Sequence, residues 1–144
     1  MVKRVFDIVV STVALLVLSP LLVLLGLAVA MSSPGGAFFR QVRVGRAGKE
    51  FYLLKFRSMR PGSEAHGQIT VGGRDPRITS IGFFLRKSKL DELPQLINVL
   101  LGDMSLVGPR PEVPKYVALY TPEQRKVLSV RPGITSAASI AYMD

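Results

Sequence analysis

The sequence contains no cysteine and a single histidine, and between Asp7 and Arg40 it carries no charge at all. Without cysteine there is no disulfide framework and no thiolate metal site, so a stapled secreted domain and a zinc ribbon are both excluded. The lone His66 lies in the turn-rich stretch Pro61-Gly62-Ser63-Glu64-Ala65-His66-Gly67-Gln68 and reads as a solvated loop residue, which leaves little basis for histidine chemistry. There is no GxxxxGK[ST] phosphate loop, no GxGxxG after a strand, no GxSxG and no HExxH. Acids are few: 10 Asp and Glu stand against 19 Lys and Arg, for a formal net charge of +9. Such a balance calls for an anionic partner. The basic residues show no aromatic stacking platform, so nucleic acid is not the expected partner. Anionic lipid head groups and phosphate-bearing substrates account for the charge more simply.

What the chain does have is an apolar run from Ile8 to Met31. It is longer than the roughly 7–15 residues of a signal-peptide core, and Asp7 interrupts the basic leader. Ser19-Pro20 sits in its middle. A proline there breaks or kinks a helix, leaving arms of roughly 11 residues, each about 16 Å long. Neither arm crosses a hydrocarbon core of about 30 Å. Basic residues flank both ends: Lys3 and Arg4 before, and Arg40, Arg43, Arg46, Lys49, Lys55, Arg57 and Arg60 after. A straight span would put one basic flank on the wrong side, whereas a dip that returns to the cytoplasmic face satisfies both. The expectation is a re-entrant anchor over residues 1–33, kinked at Ser19 and Pro20.

Residues Phe38–Val44 and Phe51–Met59 read as strands of a hairpin closed by Gly45-Arg46-Ala47-Gly48. Pro61 to Pro76 reads as a long surface loop. Ile78–Leu85, with Thr79 or Ser80 as its cap and Arg86-Lys87 at its end, suits a short helix lying in the membrane interface. From Leu90 to Leu101 the residues Leu90, Leu93, Leu96, Ile97, Leu100 and Leu101 recur at helical spacing, and Gly102 ends the run. Pro94 belongs in a first turn, which predicts a helix starting between Leu90 and Glu92. Asp91 and Glu92 then sit at a helix start beside Arg86, Lys87 and Lys89. That place suits an ionised carboxylate that attacks or binds metal near an anion, and equally suits two acids that only favour the helix dipole. In Val107-Gly108-Pro109-Arg110-Pro111 two prolines stiffen the backbone around Arg110, as a phosphate clamp requires. Thr121-Pro122-Glu123-Gln124 is a helix-start box, predicting a helix to about Val130.

Several of these pieces coincide with one family pattern. They are Lys3-Arg4-x-Phe6-Asp7 before an apolar run with Ser19-Pro20, Phe39-Arg40-Gln41-x-Arg43-x-Gly45 and Lys55-Phe56-Arg57-Ser58-Met59. Further along come Asp75-Pro76-Arg77-Ile78-Thr79-x-x-Gly82-x-x-Leu85-Arg86 and Leu90-Asp91-Glu92-Leu93-Pro94-Gln95-x-x-Asn98-Val99. The last three are Gly102-Asp103-Met104-Ser105, Val107-Gly108-Pro109-Arg110-Pro111 and Arg131-Pro132-Gly133-Ile134-Thr135. In this order and spacing the chain resembles the bacterial sugar transferases, the monotopic phosphoglycosyl transferases.

The resemblance implies an enzyme on the cytoplasmic face of the bacterial plasma membrane. It would move a sugar-1-phosphate from a UDP-sugar to a polyprenol phosphate, the membrane-committed first step of cell-surface glycan assembly. Asp91 would attack phosphorus to form a phosphosugar–aspartyl intermediate, and Glu92 would assist with Mg2+ or as a base. Both are the implied metal ligands. Lys55, Arg57, Arg86, Arg110 and Arg131 are the candidate substrate-binding cations. The expected fold is α+β, with the broken re-entrant helix, a small hairpin and several short or interfacial helices. The catalytic domain would occupy residues 34–144. The family pattern runs on past Arg-Pro-Gly-Ile-Thr, whereas nine residues follow Thr135 here, and Ser136–Asp144 differs from the commoner Gly-Leu-Ala-Gln-Val run. A missing or short C-terminal part is therefore expected. Homo-oligomerisation is left open. The alternative reading is a non-catalytic membrane-anchored module that binds phosphate ligands or lipids.

Overall fold

Mean hydropathy decides the first element. In the computed structural model, which describes residues 1–63 and 75–137, Val2–Ser32 forms one long helix, α1. It is apolar and long enough to cross a membrane by length and composition, and most of its apolar side chains are exposed. The backbone stays helical through Ser19 and Pro20. Pro20 cannot donate to the carbonyl four residues before it and crowds the preceding turn, so any effect of Ser19-Pro20 is a bend within a helix and not a loss of helix.

The remaining elements are short. Strands β1 (Phe38–Val44) and β2 (Glu50–Phe56) pair as the expected hairpin. It is closed by a 3-10 turn at Arg46–Gly48 in which Ala47 and Gly48 take positive φ. Helix α2 spans Ser80–Ser88, and of the two expected caps it is Thr79 that serves, its hydroxyl accepting from Gly82 N at 3.0 Å. Gly82 has a packing reason as well: a Cβ there would stand 2.0 Å from the Ser58 carbonyl oxygen. Helix α3 covers Gln95–Leu101, β3 is Ser105–Val107, α4 is Pro114–Val117 and β4 is Gly133–Thr135. The architecture is thus α+β, with one long apolar N-terminal helix.

Three sequence expectations need correction or sharpening. The central helix does not start between Leu90 and Glu92. Those residues form a separate 3-10 turn, and α3 begins at Gln95, just after Pro94. Apolar residues three apart satisfy both windings, so spacing alone could not separate them. The helix-start box is real, with Thr121 N donating to Gln124 Oε1 at 2.9 Å and Gln124 N to Thr121 Oγ1 at 3.2 Å. What it opens over Gln124–Ser129 is 3-10, not α. The segments around Val107 and Arg131, in which the sequence showed no strand, hold two: β3 and β4 pair in parallel, Ser105 opposite Gly133 and Val107 opposite Thr135. Most of the loop expected at Pro61–Pro76, with His66, lies outside the described residues.

The chain divides into two units. The first comprises residues 1–17, 40–54 and those from Gln95 onward. Its core is Leu53, Val99 and Met104, flanked by Phe51, Leu106 and Ile134. The second comprises residues 18–39 and 55–94, around Leu25, Val29, Phe56 and Leu85. There Phe38 stacks on Phe56 with ring centroids 5.5 Å apart.

Two buried polar groups brace the first unit. Asn98, 1% exposed, receives Leu54 N on its Oδ1 at 3.0 Å and donates from Nδ2 to the Tyr52 carbonyl at 2.8 Å, tying α3 to β2. Asp7, 3% exposed, accepts from Ser105 Oγ at 2.6 Å, and Lys3 Nζ lies 3.6 Å from the same carboxylate. Arg4 donates to the carbonyls of Val99 and Leu100 at the end of α3, where unpaired carbonyls collect. Replacing Asn98 by Ala would leave the part-buried Leu54 N–H and Tyr52 carbonyl without this partner. With both groups towards the lower end of the ~1–3 kcal/mol that an unsatisfied group costs, Asn98→Ala is expected to cost about 2–3 kcal/mol. The check is thermal unfolding in detergent followed by circular dichroism, which should show a clearly lowered melting temperature.

Candidate active site

The candidate dyad lies in the second unit, on the 3-10 turn Leu90–Glu92. Helix α2 ends at Lys89, which takes the left-handed conformation with φ 63°, and the same residue opens the turn. Leu85 is fully buried in the unit's core, and Leu90 and Leu93 pack against that core. With leucines holding both sides of the turn, the Asp91 side chain is carried inside: Asp91 is 6% exposed. Glu92 is half-buried, with Oε1 3.8 Å from Lys55 Nζ.

Burial pushes the Asp91 carboxyl above the usual carboxylate range, because a charge there has lost its water. Lys55 pulls in the opposite direction, the neighbouring Glu92 pushes further up, and Arg86 and Lys89 pull down. The result is a poorly hydrated carboxylate with three cations close enough to act on it. Such an arrangement holds a nucleophile and receives an anionic reactant without leaving like charges unopposed.

Of the cations read from the sequence, Lys55 and Arg86 are therefore brought to the dyad, and Lys89 joins them. Arg57, in the same unit, spends its guanidinium on backbone. It donates to the carbonyls of Gly35, Gly36 and Phe38 at 3.0–3.3 Å, holding the chain that follows α1. Arg131 and Arg110 belong to the first unit. Arg131 Nε donates to the Gly102 carbonyl at 2.8 Å, closing the end of α3. Arg110 is exposed and lines a cleft with Val44, Glu112, Tyr120 and Pro132. Its backbone is held on both sides: Gly133 N donates to the Pro109 carbonyl at 2.9 Å and Arg43 Nη1 to that of Pro111 at 3.0 Å. The stiffness expected from two prolines is thus reinforced by two hydrogen bonds. In the cleft, burial and Glu112 both push the Tyr120 hydroxyl above its usual range.

Sequence reading placed Lys89 beside the dyad but gave no role to Asn98 or the Asp7–Ser105 pair, although these three residues stand in the motifs quoted. An acid within a basic and apolar leader was the available signal for Asp7. Among the described residues no three His, Cys, Asp or Glu side chains cluster as a self-sufficient metal cage. The donor set at the dyad is two adjacent carboxylates. That suits an ion such as magnesium, which uses one or two carboxylates and takes its other ligands from substrate phosphates and water.

Comparison with known proteins identifies the family. Residues 1–144 match the family described as bacterial sugar transferase. The UDP-glucose:undecaprenyl-phosphate glucose-1-phosphate transferase of Escherichia coli (strain K12) is 44% identical over 147 residues, covering 97% of this chain and 31% of that protein. The UDP-N-acetylgalactosamine-undecaprenyl-phosphate N-acetylgalactosaminephosphotransferase of Aeromonas hydrophila is 40% identical over 146 residues, covering 98% of this chain and 34% of that one. The exopolysaccharide production protein PSS of Rhizobium leguminosarum bv. phaseoli is 45% identical over 145 residues, covering 96% and 72%. The chain thus spans about a third of the first two relatives and most of the third. With a match along its whole length and relatives above 40% identity, this chain belongs to the bacterial sugar transferase family.

Proposed function

We propose that the chain transfers a sugar-1-phosphate from a UDP-sugar to a polyprenol phosphate at the membrane, with Asp91 as nucleophile. The observation that carries this reading is the desolvated Asp91 carboxylate on its own turn beside Glu92, with Lys55, Arg86 and Lys89 acting on it. The relatives' names supply the substrate class: they are transferases of glucose or N-acetylgalactosamine phosphates to undecaprenyl phosphate.

In the first displacement an Asp91 oxygen bonds to the phosphorus that carries the sugar. The bond from that phosphorus to the bridging oxygen breaks, and UMP leaves with the electron pair. In the second, an oxygen of the polyprenol phosphate bonds to the same phosphorus and Asp91 departs as carboxylate, giving a polyprenyl diphosphate sugar. Two easier steps replace one, which is the logic of covalent catalysis. A carboxylate short of water attacks more readily than a hydrated one, and the cations around it offset the charge of the incoming diphosphate. Asp91 and Glu92 would hold Mg2+, whose charge offsets that of the diphosphate. Glu92, already paired with Lys55, is the residue for that ion or for a proton on the acceptor.

Two acids that merely favour a helix start, the non-catalytic alternative, would be expected in the first turn of α3. They precede it on a three-residue 3-10 turn, which has little dipole to satisfy. The direct test is UMP release. The protein in membranes, given Mg2+ and a panel of UDP-sugars, is expected to release UMP with one of them. Asp91→Asn should lower that release by at least ~10²-fold. Unchanged release in the variant would remove Asp91 from the chemistry, and no release from any UDP-sugar would favour a binding module.

We also propose that α1 dips into the cytoplasmic leaflet and returns, bending at Ser19-Pro20, while residues 34–144 form the cytoplasmic catalytic domain. At ~1.5 Å per residue an unbent helix of this length exceeds a ~30 Å hydrocarbon core, so the bend is what the reading requires. The support is the basic character of both flanks. α2 would lie at the interface, since Phe83 and Phe84 are exposed one turn before Lys87. Because the chain lacks cysteine, single Cys residues can be placed at Lys3 and Arg46 and labelled in intact cells. Both sites should be shielded from a membrane-impermeant thiol reagent outside, and Ser19-Pro20→Ala-Leu should expose the first. Labelling at Lys3 in the unaltered helix would overturn the dip.

A further inference from the structure

The first unit carries an exposed apolar patch. In α3, Ile97 and Leu101 are one turn apart on the same face, and both are exposed, Leu101 to 70%. Val107, at the end of β3, is 57% exposed. An exposed leucine alone needs no explanation. Their setting does. Arg4 of α1 donates to the carbonyls of Val99 and Leu100, immediately before Leu101. Lys3 donates to the Val107 carbonyl at 3.1 Å and to Ser105 Oγ. The two apolar residues are thus fastened to the two cations that open α1. Around those cations the helix itself shows water Val2, Val5, Phe6 and Val9.

We propose that Leu101 and Val107 are a second membrane contact, inserted at the head-group level of an anionic bilayer alongside the start of α1. Two observations select lipid as the occupant. The patch is continuous, through the Arg4 and Lys3 contacts, with the exposed apolar side of a helix long enough to enter a membrane. It is also rimmed by Lys3, whose side chain remains 64% exposed beside the apolar residues and so lies at the edge of the patch. Apolar side chains beside a cation are the composition that sits at a membrane interface. The buried Asp7 gives the arrangement its rigidity. It accepts from Ser105 Oγ and lies 3.6 Å from Lys3 Nζ, so α1, β3 and the end of α3 present one surface. This contact rests on the proposed entry of α1 into the membrane and not on the assignment of Asp91.

The absence of cysteine makes the test clean. Leu101→Cys, Val107→Cys and, as a control, Gln124→Cys are each labelled with an environment-sensitive fluorophore. The full chain is then reconstituted in vesicles of phosphatidylethanolamine and phosphatidylglycerol. All three positions are exposed, and circular dichroism checks that each variant keeps its helix content. A nitroxide lipid labelled near its head group should quench the 101 and 107 probes several-fold more than the 124 probe. Aqueous iodide should show the reverse order. Iodide quenching at 101 or 107 equal to that at 124 overturns the proposal. Protection of either probe from both quenchers also overturns it, since that would mean burial in a protein contact.

Discussion

One backbone residue carries the local geometry of the second unit. Lys89 takes a left-handed conformation, which costs a residue with a Cβ about 1–2 kcal/mol. At that residue α2 must stop and the turn bearing the dyad must begin. The strain is offset by what it permits: Leu85 on one side and Leu90 and Leu93 on the other can all reach the same core. A straight continuation of α2 would carry Leu90 and Leu93 away from it. Once the leucines are placed, Asp91 has no freedom left and is buried with them. Glu92, next along the turn, points far enough away to meet Lys55. Two adjacent acids are thereby put in different surroundings, as the different roles proposed for them require.

The electrostatics follow from that placement. A buried carboxylate far from any cation would take a proton and stop being a nucleophile. Here burial raises Asp91 and three cations pull the other way, so desolvation and charge compensation are supplied by neighbouring residues of one unit. The basic excess of the chain is divided among tasks. Arg4, Arg43, Arg57 and Arg131 hold carbonyl oxygens, while Lys55, Arg86 and Lys89 act on the dyad. An arginine has five donors in a planar fork and suits several carbonyls at once, as Arg57 does.

What could be read in the sequence was what depends on near neighbours. The hairpin, the Thr79 cap, the Thr121–Gln124 box and the end of α3 at Gly102 each follow from residues a few positions apart. Pattern failed where two local structures share a period, as at Leu90–Leu101, because leucines three apart suit a 3-10 turn and an α-helix alike. It also failed where the partner is distant. β3 and β4 are three residues each and are joined in parallel across a long stretch of chain, so neither shows enough alternation to be seen alone. The same holds for Asn98 and Asp7, whose roles depend on Tyr52, Leu54 and Ser105. In the site, Asp91 and Glu92 were legible as residues, and the resemblance to the family suggested their role. The burial that separates them was not, since it comes from packing around a strained lysine.

The proposed two-step transfer requires Asp91 to become covalently attached to the phosphate of the sugar, with its neighbour left free. Intact-mass measurement after incubation with a UDP-sugar that supports UMP release, with no polyprenol phosphate present, addresses that claim most directly. The expected species is heavier than the protein by one sugar phosphate, maps by peptide fragmentation to Asp91 and disappears when polyprenol phosphate is added. An adduct on Glu92, or turnover with no adduct trapped at any time, would contradict it.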